Sequence, residues 1–147
     1  MGDRRAWLAL GGVASAAASL LHLASIAGGP DWYRFFGAGE PIARAAERGS
    51  WVPALLALAI ATLLAAWSAF AFSGAGLLRP LPLLRTALVA ITAIYLVRGL
   101  ALFFPTAMSR PDLSPAFLFW SSLIVLAIGV VHLVGLWRAW PLLRGMH

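Results

Sequence analysis

The chain has 147 residues, of which 62% are hydrophobic and 11% are charged, and its net charge is +6. A soluble domain is about 45–50% apolar and about 25% charged, and a chain of 15.6 kDa has too little interior to hide so much apolar surface. The composition therefore excludes an ordinary soluble enzyme, a disordered tail and a nucleic-acid-binding domain. It indicates an integral membrane protein, and the lack of Cys excludes thiol chemistry.

Four apolar segments are each long enough, at about 20 residues, to cross a bilayer as a helix. In chain order they cover residues 7–27, 51–72, 82–104 and 115–137. Ser50 before the second segment and the Ser114-Pro115 pair before the fourth are typical helix starts. The runs are rich in Ala and Leu and do not alternate, which argues against strands. The sequence predicts an all-α fold, an integral membrane four-helix bundle that forms a single transmembrane domain over residues 1–147.

The connection between the first and second spans, residues 28–50, is the longest in the chain. Four aromatic residues within five positions, Trp32, Tyr33, Phe35 and Phe36, indicate a short helix in the membrane interface. The residues that follow predict a second short helix with one apolar side. We expect one or two short helices over the outer mouth of the bundle, which serve either as a passive cap or as a lid over a pocket.

The distribution of Arg predicts the orientation of the chain. With a cytoplasmic N-terminus, the inner side holds six Arg: Arg4, Arg5, Arg79, Arg85, Arg138 and Arg144. The outer side then holds four: Arg34, Arg44, Arg48 and Arg110. Because Arg favours cytoplasmic segments, this excess predicts a multi-pass protein of the cell inner (plasma) membrane with both termini cytoplasmic.

Two spans carry stripes of small residues at helical spacing. In the first span the stripe contains Gly11, Ser15, Ala18, Ser19 and His22. In the second span it contains Ala54, Ala57, Ala61, Ala65 and Ser68. Small residues let helix backbones approach closely in lipid, so these faces predict packing within the bundle or a homo-oligomer seam.

Arg98 lies well inside a predicted span, where an Arg costs roughly 2.5–3.5 kcal/mol on insertion scales and usually finds a partner. Arg98 stands six residues before the end of its span, and His22 stands six residues before Gly28. Both therefore lie about 9 Å below the same surface, which predicts a polar pocket in the outer leaflet beneath the long loop. The candidate ligand-binding residues are Ser19, His22, Tyr95 and Arg98 in the spans, and Asp31, Tyr33 and Glu40 in the loop.

Two interpretations of Arg98 remain open. In one, Arg98 pairs with Asp31 or Glu40 and anchors the loop. In the other, Arg98 and His22 donate to an anionic group of a ligand, such as a lipid phosphate or a carboxylate. The function therefore has three candidate descriptions: a protein that binds or transports a lipid-like or anionic small molecule, a non-catalytic accessory or structural membrane subunit, or a small membrane enzyme with His22 as base. We assign no catalytic residue, because no nucleophile is identifiable beside His22.

His132 lies near the inner end of the fourth span, in the opposite leaflet from His22. The two imidazoles cannot reach one haem iron, and we expect neither a metal nor a cofactor. We interpret His132 as a core histidine bonded to a helix carbonyl. The expected partners are membrane lipids, and nucleic acid is not among them.

Overall fold

The computed structural model describes residues 2–104, 111 and 113–143, and only the backbone of residues 2–4. Arg110, Asp112, Arg144 and His147, and the side chains of Asp3 and Arg4, therefore lie outside the described part of the chain.

Five α-helices make up most of the described residues. They are α1 (Gly2–Phe35), α2 (Glu40–Glu47), α3 (Val52–Gly74), α4 (Leu84–Leu100) and α5 (Pro115–Leu143). A 3-10 turn, Ala101–Phe103, continues α4. Four of the helices, α1, α3, α4 and α5, are long and apolar enough to cross a membrane. This confirms the predicted all-α four-helix arrangement, and the chain is a multi-pass membrane protein.

The helix ends differ from the predicted spans at places where the backbone explains the change. Residues 30–35 extend α1 beyond a kink at Gly29, whose φ of 68° and ψ of −152° are not helical. Pro30, which follows, has no N–H to continue the helical ladder. At the other end of the bundle, Leu83 adopts a left-handed conformation with φ 55°, so α4 begins at Leu84. The last helix continues to Leu143, well beyond the predicted end at residue 137.

The four long helices form a square in chain order. Helix α1 packs against α3 and α5, α4 packs against α5 and α3, and α1 and α4 lie diagonally opposite within the described residues. The close contact between α4 and α5 depends on Gly99, since a Cβ there would lie 2.5 Å from the Cα of Leu126. In lipid the hydrophobic effect does not drive helices together. Small residues at such crossings stabilise the helix pair because they let the two backbones make close van der Waals contact.

The small-residue stripes lie mostly between α1 and α3 of the same chain. Ser19 Oγ donates to the carbonyl of Ala61 at 2.7 Å, and Ser68 Oγ donates to the carbonyl of Gly12 at 2.8 Å. Ala65 is the stripe residue that stays exposed on α3. A homo-oligomer through these faces would have to compete with this packing inside the chain.

A polar and aromatic layer occupies the centre of the bundle. The hydroxyls of Tyr95 and Ser15 are 2.9 Å apart, which joins the diagonal helices α1 and α4. The rings of Trp67 and His132 each lie 5.1 Å from the ring of Tyr95, measured between centroids. His132 is fully buried, and its Nδ1 donates to the carbonyl of Ile128 at 2.9 Å. This confirms the interpretation of His132 as a core histidine bonded to its own helix.

The bundle has two ends, called the cap end and the termini end. The cap end carries residues 30–50, called the cap, together with the end of α4 and the start of α5. The termini end carries the start of α1, residues 75–83 and the end of α5.

Candidate functional site

The four span residues of the predicted pocket have separate partners. Ser19 bonds to α3, as described above, and His22 Nδ1 donates to the carbonyl of Ala18 in its own helix at 2.8 Å. Tyr95 bonds to Ser15, and Arg98 Nη1 donates to the hydroxyl of Ser122 at 3.0 Å. His22 and Arg98 lie on diagonally opposite helices. Equal depth in the membrane, which the sequence indicated, is therefore not enough to bring the two side chains together.

The loop acids are held by Arg34. Its Nε donates to Glu40 at 2.9 Å, one terminal nitrogen donates to Glu47 at 2.6 Å, and the other lies 3.3 Å from Asp31. The predicted pairing of Arg98 with Asp31 or Glu40 is therefore wrong. Arg34 is three and six residues from these acids along the chain, so little entropy is lost when the short loops between them close.

The group of Asp31, Arg34, Glu40, Arg44 and Glu47 is called the Arg34 cluster. Arg44 Nε adds a bond to Glu40 at 2.9 Å within α2. Hydrogen bonds from Arg34 and Arg44 hold the pKa of Glu40 at about 2, below its ordinary value of 4.5, because both favour the charged carboxylate. The cluster ties the end of α1 to α2.

Beneath the Arg34 cluster, the cap has a small apolar core. Tyr33 is 5% exposed, Ala43 is fully buried, and both pack with Ala57 of α3. A Cβ at Gly37 would lie 2.1 Å from the Phe117 ring of α5, so the cap also contacts the last span. Tyr33 thus has a packing role, and the cap is an ordered cover over this end of α1, α3 and α5.

Arg98 lies on the exposed surface of α4 and reaches across to α5. Its acceptor, Ser122, is 1% exposed. The sequence prediction missed Ser122, although a signal was present. Ser122 is seven residues into α5, about 10.5 Å from its start, whereas Arg98 is about 9 Å from Phe104 on the preceding span. Consecutive spans joined by a short connection are antiparallel neighbours, so residues at equal depth on them can meet.

A groove lies at the termini end, between the start of α4 and the end of α5. It has a volume of about 900 Å³. Its walls are formed by residues 80–86, Val89, Trp140 and Leu143. Ser73 fixes the connection above it, because its hydroxyl donates to the carbonyl of Arg79 at 2.9 Å and accepts from Leu81 N–H at 3.1 Å.

Arg85 is the charged residue of this groove. It is exposed, and its guanidinium carbon lies 4.5 Å from the centre of the Trp140 ring. The guanidinium and the indole therefore form a cation–π contact. In the sequence, Arg85 counts only towards the predicted orientation. A site formed by Arg85 and Trp140 together was not predicted, because Trp140 lies beyond the predicted end of the last span.

The two ends also differ in charge. The described Arg side chains of the termini end are Arg5, Arg79, Arg85 and Arg138. The carboxylates whose side chains are described, Asp31, Glu40 and Glu47, all belong to the cap end. Among the described side chains, the termini end is therefore basic without acidic counterparts.

No group of three or more His, Cys, Asp or Glu side chains that could hold a metal ion is present in the described ranges. A scan against protein-family models, a search of curated proteins and a search of solved structures found no match to this chain. Any functional assignment must therefore be argued from the residues themselves.

Proposed function

We propose that the protein is a membrane-embedded binding protein for an anionic, lipid-like molecule, which Arg98 holds in the half of the membrane nearest the cap. The observation that carries the proposal is the position of Arg98, exposed on a spanning helix and bonded to a buried Ser122 on the next. Charged residues inside a span are costly and commonly mark a binding site or pathway.

The chemistry of Arg98 supports an anionic ligand. A guanidinium has five N–H donors in a planar fork, and phosphate or carboxylate accepts two of them in parallel. Ser122 fixes one terminal nitrogen and thereby orients the fork. Ile94, one turn away on the same face of α4, is 50% exposed and offers apolar surface for a lipid chain. His22 and Ser19 have no part in this revised site.

The Arg asymmetry supports the finer localisation. We place the chain in the inner (plasma) membrane with the basic termini end in the cytoplasm, as the positive-inside rule favours. Because the chain has no Cys, single-cysteine variants at the exposed positions Ala38 and Leu78 can be labelled without a background. A membrane-impermeant maleimide applied to intact cells should label A38C and not L78C. The reverse result would invert the topology.

Titration of the purified chain with phosphatidylglycerol, followed by native mass spectrometry, tests the proposed function. We expect the R98Q variant to bind the lipid about tenfold more weakly, because a charge-assisted hydrogen bond is worth about 1.5–3 kcal/mol. R98K keeps the positive charge but lacks the planar set of N–H donors. Its affinity for the lipid should therefore lie between those of R98Q and wild type. R48Q, which removes an exposed Arg of the cap, is the matched control and should bind as wild type does.

A second candidate, a non-catalytic accessory or structural subunit, is favoured by one observation. The bonds of Ser15 with Tyr95, Ser19 with α3 and Arg98 with Ser122 all join helices of this chain. If R98Q unfolds at lower temperature but binds as much phosphatidylglycerol as wild type does, this second function replaces the first. No observation of the described residues favours the third candidate, an enzyme with His22 as base.

A further inference from the structure

We propose that the groove between α4 and α5 at the termini end is a second site, which binds an anionic phospholipid with its phosphate on Arg85. This site shares no residue with the one at Arg98 and lies at the opposite end of the bundle. It therefore belongs to the other leaflet, and each site can fail without the other.

The size and position of the groove fit a lipid headgroup. Small-molecule sites usually measure about 300–1,000 Å³, and this groove measures about 900 Å³. It begins at the first turn of α4, where the chain enters the membrane. Leu83 at its rim is 79% exposed, and Val89 further along α4 is 42% exposed. An apolar chain can therefore follow α4 from the groove into the bilayer.

The chemistry of the groove selects a phosphate. The guanidinium carbon of Arg85 lies 4.5 Å from the centre of the Trp140 ring, and this cation–π contact restricts the motion of the side chain and so reduces the entropy lost on binding. Arg binds phosphate through two parallel hydrogen bonds. Trp is one of the aromatic residues enriched in the headgroup region.

Charge complementarity extends beyond Arg85. Arg5 lines a neighbouring cavity of about 290 Å³ that shares Pro80, Leu84 and Leu143 with the groove. Arg79 stands at the same end, where none of the described side chains is a carboxylate. Each Arg near an anionic membrane surface adds to the electrostatic attraction between the two. An occupant with net negative charge is therefore favoured over a zwitterionic lipid.

A phospholipid fits better than a soluble anion because the groove joins a cation to apolar walls. Leu81, Leu83, Val89 and Leu143 line it beside Arg85. A free phosphate would use the cation and leave those walls in contact with water or lipid. An anionic phospholipid satisfies both, since its phosphate meets Arg85 and its acyl chains cover the apolar walls.

The test uses photoactivatable phosphatidylglycerol and the full chain in bilayer nanodiscs of phosphatidylcholine, with cross-links mapped by peptide mass spectrometry. We expect cross-links to residues 80–89 in wild type and about a tenfold loss in R85Q. R48Q, at the cap end, should keep them. Photoactivatable phosphatidylcholine should label the groove weakly. Equal labelling by the two lipids, or unchanged labelling in R85Q, would overturn the proposal.

Two further readouts separate the remaining outcomes. Millimolar inorganic phosphate should leave the cross-links intact, and complete competition would mean that the site binds a soluble anion.

By native mass spectrometry, wild type should hold two phosphatidylglycerol molecules, R85Q one and R98Q one. If R98Q still holds two, the site at Arg98 fails and the groove stands. If R85Q still holds two, the groove fails and the site at Arg98 stands.

Discussion

Arg34 and Arg44 of the cap and Arg85 of the termini end have opposite kinds of partner. At the cap end, Arg34 and Arg44 are bonded to carboxylates of the same segment at 2.6–3.3 Å. At the termini end, Arg85 lies over the ring of Trp140, at 4.5 Å. A carboxylate neutralises the cation, whereas a Trp ring orients it and leaves its charge. The cap therefore uses charge to hold its own fold, and the termini end presents charge to anions.

Replacement of Tyr33 by Ala should have the largest effect and should be confined to the cap. Tyr33 is 5% exposed and packs on Ala43 and Ala57, and loss of a buried aromatic ring costs on the order of 3 kcal/mol. Hydrogen exchange of residues 40–47 should become much faster. Binding of phosphatidylglycerol should not change, and a parallel loss of lipid would show that the two ends are coupled.

Replacement of Trp140 by Leu should weaken lipid binding at the termini end by roughly threefold to tenfold. A cation–π contact is worth about 0.5–2 kcal/mol, and here it also orients Arg85. Trp137 is 76% exposed and does not line the groove, so W137L is the matched control. Lipid titration by native mass spectrometry measures both variants. Equal losses in W140L and W137L would mean a general interfacial role for Trp.

Acidification should destabilise the cap and leave the groove unchanged. The folded pKa of Glu40, about 2, lies below its ordinary value of 4.5. The stabilisation from Glu40 is thus complete above about pH 4.5 and is lost as the pH falls towards 2. Hydrogen exchange of residues 40–47 should rise across this window, and exchange that is flat with pH would contradict the role of Glu40.

The smallest effect is expected from R44Q. Arg44 makes one bond to Glu40 within α2, whereas Arg34 bonds to three acids. Exposed pairs at this spacing contribute little. Exchange of residues 40–47 should increase less in R44Q than in R34Q. An equal increase in the two variants would mean that Arg34 contributes no more to the stability of the cap than Arg44 does.

The sequence predicted the spans and the ordered cap because hydropathy and aromatic clustering are local properties. It placed Arg98 within the third span, but the hydrogen-bond partner of Arg98 depends on which helices are neighbours. Arg98 meets Ser122 on the adjacent span, not His22 on the diagonal one. Arg34 was not predicted as the partner of the loop acids, because a charged residue inside a span was expected to need an acid, although Asp31 and Glu40 are much closer to Arg34 along the chain.

The groove could not be predicted from the same patterns. Leu83, at its rim, is left-handed, so that α4 begins at Leu84 and not at residue 82 as predicted. The extension of α5 to Leu143 brings Trp140 beside Arg85. Neither feature follows from hydropathy, since both depend on how the ends of two helices pack.

The contrast between the ends is tested most directly by hydrogen exchange of the wild-type chain in phosphatidylcholine nanodiscs with and without phosphatidylglycerol. The account predicts slower exchange of residues 80–89 when the anionic lipid is present, and unchanged exchange of residues 40–47. Protection of residues 40–47 by phosphatidylglycerol, or no protection of residues 80–89, would contradict it.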